Sequence, residues 1–167
     1  MLVLGIDPGT ARMGYGLVQY LDGKIKLINY GLITTSSSMT VAERLCKINE
    51  QLQLLIEDNR PDAVAVEQLF YNKNAKTIIT VAESRGVAIM TAARAKIQVA
   101  EYTPLQVKQA VVGFGNADKK QVQEMVKRIL SMDQLPKPDD AADAIAIAIC
   151  HLHSYKIANW GKGSVKQ

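Results

Sequence analysis

The sequence predicts an α/β fold, a five-stranded mixed sheet flanked by helices, and three observations carry that reading. Two short apolar runs, Leu2 to Ile6 and Ala63 to Val66, each end in a carboxylate, Asp7 and Glu67, as buried strands do where they reach solvent. Between them, Asp22-Gly23 joins two strand-like stretches with the dipeptide that a tight hairpin prefers. Downstream, amphipathic stretches alternate with strand-like ones, the pattern of helices laid on the faces of a sheet.

In chain order, Leu2 to Asp7 is a central strand closed by the turn residues Pro8-Gly9. Gly14 to Tyr20 and Lys24 to Thr34 are the hairpin strands, so three antiparallel strands open the fold. After the polar Ser36-Ser37-Ser38, Thr40 and Glu43 form a capping-box pattern before Val41, Leu45, Ile48, Leu52, Leu55 and Ile56, an apolar helical stripe that Asn59-Arg60-Pro61 ends. Ala63 to Glu67 repeats the pattern of the first strand. Gln68 to Asn74 is a loop, and Ala75 to Ala95 is a helix carrying more apolar residues (Ile78, Ile79, Val81, Val87, Ile89, Met90) than one sheet-facing stripe needs. That surplus implies a second covered face, either within the monomer or between two copies.

Ile97 to Tyr102 is the fifth strand. Thr103-Pro104 caps and starts a short helix through Val112, Gly113 to Asn116 interrupts it, and Asp118 caps a helix running through Leu130. Pro136 and Pro138 lead into the Ala-rich segment from Asp139 to about Tyr155, a strong helix former. The expected organisation is one domain over residues 1–155 and a flexible tail over 156–167.

At 167 residues and 48% hydrophobic composition, the chain can bury a sizeable single core. Cys46 and Cys150 show no metal, redox or disulfide spacing and are expected as reduced core residues. No secretory leader and no membrane-length apolar run is present, so a soluble, cytoplasmic protein is expected. Residues 68–128 carry a net charge of +6 and the remainder −2, a basic middle compatible with a polyanion such as nucleic acid, though solvated helix faces also collect Lys and Arg.

The chemistry centres on carboxylates. Asp7 and Glu67 end strands, and Asp140 and Asp143, three apart, share one face at a helix start. Each has an ordinary alternative: a turn cap, a loop start, a complement to the helix dipole, or a solvated side chain. If the last helix crosses the sheet beside those strands, four carboxylates meet with no basic partner evident in the adjacent sequence. Close like charges raise at least one pKa, and a divalent cation resolves the conflict. An all-oxygen donor set favours magnesium, with manganese as a substitute, over zinc. Two such ions about 3.5 to 4 Å apart suit phosphodiester cleavage.

The chain resembles the RuvC-type Holliday junction resolvases of the RNase H-like superfamily. The resemblance rests on Gly5-Ile6-Asp7-Pro8-Gly9, Val66-Glu67-Gln68 with Phe70 and Lys73-Asn74-Ala75, Arg85-Gly86-Val87-Ala88-Ile89, Gln106-Val107-Lys108-Gln109 with Val111-Val112-Gly113, and Asp140-Ala141-Ala142-Asp143-Ala144. It spans nearly the whole chain but not the region beyond Tyr155, and Asp139 beside Asp140 leaves a choice of ligand that the spacing to Asp143 settles for Asp140. The resemblance implies an RNase H-like fold and a homodimer that nicks two like-polarity strands of a four-way DNA junction symmetrically, in recombination and repair. Asp7, Glu67, Asp140 and Asp143 would hold the metal ions, an activated water would attack phosphorus in line, and the ends would be 5′-phosphate and 3′-hydroxyl. Lys108 and Lys119 match basic positions near DNA, and Phe70 an aromatic that stacks on an unpaired base. Tyr71, Lys73 and Lys120 are local additions to the DNA-binding set. A branch-migration motor and other junction-binding proteins are implied as partners, as is a preference for short T-containing sites.

Three other readings compete. An actin-like phosphotransferase also uses an apolar strand ending in Asp-x-Gly-Thr, but it needs a second domain for which the chain has no room. A non-catalytic junction-binding module would bind without metal-dependent cutting. An RNase H-like nuclease of another substrate, such as RNA, would share the carboxylates and differ in groove and dimer. His151 and His153, two apart on a helix, point different ways and are poor joint ligands.

Overall fold

The computed structural model describes the backbone of residues 1–69 and 75–163 and, within the second span, the side chains of 78–155. Five strands, β1 (Leu2–Asp7), β2 (Arg12–Leu21), β3 (Lys24–Thr34), β4 (Ala63–Glu67) and β5 (Gln98–Tyr102), form one sheet in the order β3-β2-β1-β4-β5. The β1–β2 and β2–β3 pairs are antiparallel, whereas β1–β4 and β4–β5 are parallel. The expected five-stranded mixed sheet with helices on its faces is therefore present. Helix α1 (Val41–Asn59) precedes β4, and α2 (Ala75–Arg94) connects β4 to β5. Helices α3 (Pro104–Val112), α4 (Lys119–Ile129) and α5 (Asp139–Gly163) complete the chain.

Local chemistry accounts for the element ends. Asp22 and Gly23 have φ values of 51° and 81°, as a type I′ hairpin requires. Thr40 with Glu43, Thr103 with Gln106 and Asp118 with Gln121 form reciprocal capping boxes on α1, α3 and α4. Arg60 closes α1 in the left-handed conformation. Two features depart from expectation. Helical backbone continues past Tyr155 to Gly163, because nothing in Lys156 to Gly163 breaks a helix outright until its glycines. Cys46 is exposed on α1 rather than in the core, while Cys150 is buried on α5.

The sheet has two packed faces. On one, Leu4, Ile6, Val64 and Val66 meet Ile48, Leu52 and Ile56 of α1 and Ala88 and Ala92 of α2. On the other, Val3 and Ala65 meet α5 through Ile145 and Ile149, with Val107 of α3 and Val122 and Val126 of α4 beside them. Strand alternation assigns Asp7 to the face of Val3, and Glu67 to the face of Ala65. Both carboxylates therefore face α5. Among the described residues no helix is long and apolar enough to cross a membrane.

Close approach of α5 depends on missing side chains. Gly5 of β1 is paired with Gly16 of β2, and Asp7 with Gly14. A Cβ on Gly5 would overlap the backbone oxygen of Ala144, one on Gly14 the backbone oxygen of Asp140, and one on Gly16 the side chain and backbone of Ile145. From the helix side, Ala141, Ala142, Ala144, Ala146 and Ala148 are all essentially buried. Small residues on both surfaces thus bring the start of α5 down onto the end of β1. Because a rigid backbone is the obstacle, Gly5→Ala should lower stability by roughly 3 kcal/mol and lift α5 from the sheet. Denaturant melts should show the loss.

Candidate active site

The strands β1, β4 and β5 run parallel, so their carboxyl ends share one edge of the sheet, where ligands of such sheets usually bind. Asp7 ends β1 and Glu67 ends β4, one step beyond the paired Ile6 and Val66. Asp140 and Asp143 lie in the first turns of α5, directly across from them. Burial separates the neighbouring aspartates: Asp139 is 61% exposed, against 26% for Asp140 and 33% for Asp143. Asp139 is also engaged elsewhere, accepting from Gln123 Nε2 at 3.0 Å.

Basic residues occupy the gaps. Lys119, the first residue of α4, places Nζ 3.0 Å from Asp143 Oδ2 and 3.4 Å from Asp139 Oδ2. Arg12 Nη2 is 2.9 Å from Asp140 Oδ2, but is not aligned to donate a hydrogen bond, and that oxygen is buried without a hydrogen-bond partner. Basic partners that the sequence adjacent to the carboxylates does not make evident are therefore present. Spacing along the chain could reveal neither contact, because Lys119 arrives from another helix and Arg12 from across a turn. Among the described residues the acidic side chains do not close into a ready metal cage. Their donor chemistry nonetheless fits a hard divalent cation: every candidate donor is a carboxylate oxygen, and one oxygen is orphaned.

The electrostatics show what the cluster lacks. Burial, then repulsion from Glu67, Asp143 and Asp140, pushes Asp7 up to about 8, with Lys119 opposing. Burial and Asp143 push Glu67 up to about 7, against Lys108 and Lys119. Burial also raises Asp143, although Lys119 hydrogen-bonds and attracts its charged form. Burial by itself lowers the Lys119 ammonium, but hydrogen bonding and attraction to Asp143 and Asp139 outweigh it and raise its pKa. Lys119 and Lys108 do not offset the burial and repulsion that raise Asp7 and Glu67.

A cleft of about 200 Å³ opens beside these groups, lined by Glu67, Pro104, Val107, Lys108, Lys119, Val122, Asp143 and Ala146. It joins two of the candidate carboxylates to Lys108 and Lys119, two of the four lysines expected near DNA. Lys120 instead lines a separate groove with Val112, Asp118 and Arg128. Phe70, Tyr71 and Lys73 lie outside the described residues. Both histidines have structural partners: His151 Nδ1 lies 2.9 Å from the Tyr102 hydroxyl, and His153 Nδ1 lies 2.8 Å from the Ala110 carbonyl, to which it donates.

A mixed sheet of this order, with a helix crossing its parallel edge and acidic residues gathered there, defines an RNase H-like nuclease. Comparison with known proteins narrows the class. The family model of crossover junction endodeoxyribonuclease RuvC matches residues 3–151, and the chain belongs to that family. A crossover junction endodeoxyribonuclease RuvC of Syntrophomonas wolfei is 61% identical over 164 residues, 98% of this chain and 95% of the relative. The Thermus thermophilus RuvC solved in complex with a Holliday junction substrate superposes with a TM-score of 0.90 at 34% identity, covering 95% of this chain and 96% of that one. The yeast mitochondrial Holliday junction resolvase shares the fold, with a TM-score of 0.65 at 18% identity over 96% of this chain and 85% of its own. The phosphotransferase reading is set aside by this membership.

Protonation of the cluster has a thermodynamic consequence. In the folded protein Asp7 and Glu67 hold protons to about 8 and 7, whereas their ordinary values are 3.8 and 4.5. The folded state therefore binds more protons between those limits. The resulting stabilisation is complete below the unfolded values and is lost as pH rises through the folded ones. In chelator, Tm should fall between pH 5 and pH 9 by more than about 10 °C from these groups, and Asp7→Asn should flatten much of the fall. Scanning calorimetry across that range checks it, and a Tm that climbs with pH in the wild type alone would contradict the assignment.

Proposed function

We propose that this endonuclease resolves four-way DNA junctions by paired, symmetric, divalent-metal-dependent nicks, with Asp7, Glu67, Asp140 and Asp143 as metal-holding catalytic residues. The observation that carries the proposal is the arrangement of Asp7 and Glu67, on neighbouring parallel strand ends, against Asp140 and Asp143 on the helix across from them. Family membership supports the substrate, as does the likeness to a relative solved with a Holliday junction. When bound at such carboxylates, magnesium, or manganese in its place, activates the attacking water and stabilises the leaving oxygen.

The chain's own residues do the rest. The carboxylates orient the ions and, being held by rigid strand ends and a buried helix, do so with little freedom to reorganise. Lys119 and Lys108 flank the cleft and neutralise a phosphate or the charge that develops on it. The proposed DNA set also includes Lys120, Lys73, Tyr71 and Phe70, the last stacking on a base unpaired at the crossover. Asp139, exposed and hydrogen-bonded to Gln123, is left outside the ligand set.

A homodimer would supply the second cut. Ile79 and Met90 of α2, 61% and 43% exposed in one protomer, and Leu54 of α1 at 51% offer the apolar face that a second copy would cover. A cytoplasmic location and a branch-migration motor as partner complete the proposal.

Asp7→Asn should keep junction affinity within about twofold and slow cutting by roughly 10²-fold or more. The assay follows both labelled strands of an immobile-core junction on a denaturing gel, in magnesium and in chelator, with duplex DNA and RNA–DNA hybrid as competitors. Paired magnesium-dependent nicks at the junction support the proposal. Normal cutting by the mutant, or preference for the hybrid, would overturn it.

A further inference from the structure

We infer that Arg85 is a positioning residue for the nuclease reaction: from the middle of α2 it fixes the end of β4 and so the direction in which Glu67 presents its carboxylate. The inference rests on the proposed catalytic role of Glu67 and extends it to a residue that touches neither substrate nor metal.

The geometry is a two-pronged clamp. Arg85 Nε donates to the main-chain oxygen of Glu67 at 3.0 Å. Its Nη2 pairs with the Glu101 carboxylate on the neighbouring strand β5. The Arg85 side chain is 18% exposed and that of Glu101 41%, so the pair lies at the margin of the protein. On the other side of the same strand end, Gln68 N donates to Tyr102 O at 2.8 Å. The peptide that leaves Glu67 is thus held from both directions, by the sheet ladder and by α2. Helix α2 also receives the loop after β1, where Thr10 Oγ1 donates to the carbonyl of Thr80 at 2.5 Å. Both acid-bearing strands are therefore referenced to one helix just beyond their carboxylates.

The chemistry of arginine matters here. A planar fork can donate to a carbonyl and a carboxylate at once with a fixed angle between them, whereas a lysine ammonium is a flexible point charge. An ion pair at the protein margin, with one partner 41% exposed, contributes only modestly to global stability. Holding a catalytic carboxylate is different, because a displacement near 1 Å can cost about 10²-fold in rate. Positioning and bulk stability are therefore separable for this residue.

The test compares wild type, Arg85→Gln, Arg85→Lys and Asp7→Asn in four measurements: thermal midpoint, junction affinity in chelator, manganese affinity by calorimetry without DNA, and single-turnover cleavage. For Arg85→Gln we expect a near-normal midpoint, junction affinity within about twofold, manganese binding weakened several-fold and cleavage slowed by roughly 10- to 100-fold. Arg85→Lys should recover part of the rate. Arg85→Gln that cuts and binds manganese normally overturns the inference, as does a loss that merely tracks unfolding or lost junction binding in both variants. Asp7→Asn separates the two levels: if it cuts normally, the carboxylate assignment falls and Arg85 with it, whereas an inert Asp7→Asn beside a normal Arg85→Gln removes Arg85 alone.

Discussion

Contact between the start of α5 and the glycines of β1 and β2 is the constraint on which the rest of the site depends. Asp7 reaches the sheet edge by strand alternation alone, but Asp140 and Asp143 reach it only because Gly5, Gly14 and Gly16 let a helix backbone lie where side chains would otherwise stand. The alanines of α5 complete the approach from the opposite side. This packing does more than fill space. It forces acidic groups on two secondary-structure types into one partly desolvated volume, which no isolated strand or helix would do.

Charge imbalance follows from that packing. Lys119 and Lys108 offset part of it, yet Asp7 and Glu67 remain raised to about 8 and 7. A cluster that must either hold protons or bind cations is suited to work as a metal-dependent site. It also explains why basic residues reach the cleft from α3 and α4: without Lys108 and Lys119, Glu67 would be still harder to ionise. The same lysine that steadies Asp143 lines the cleft where phosphate is proposed to lie.

Much of this was legible in the sequence, and the reasons are local. Type I′ turn chemistry at Asp22-Gly23, capping boxes at Thr40, Thr103 and Asp118, and apolar runs ending in Asp7 and Glu67 each encode structure within a few residues. What escaped depends on contacts between distant segments. Gly14 and Gly16 look like ordinary strand residues until α5 is seen resting on them. No spacing rule connects Arg12 to Asp140 or Arg85 to the backbone of Glu67. The surplus apolar face of α2 was legible as a surplus, whereas its occupant was not. The continuation of α5 to Gly163 was missed because the polar stretch after Tyr155 carries little apolar periodicity.

The most direct measurement is anomalous diffraction from crystals of the protein soaked in manganese, in wild type and in Asp140→Asn. The account predicts manganese bound among Asp7, Glu67, Asp140 and Asp143, with Lys119 displaced from Asp143 and occupancy reduced in the mutant. Manganese held by Asp139 with Asp7 and Glu67 left free, or no ordered ion at the sheet edge at saturating concentration, would contradict it.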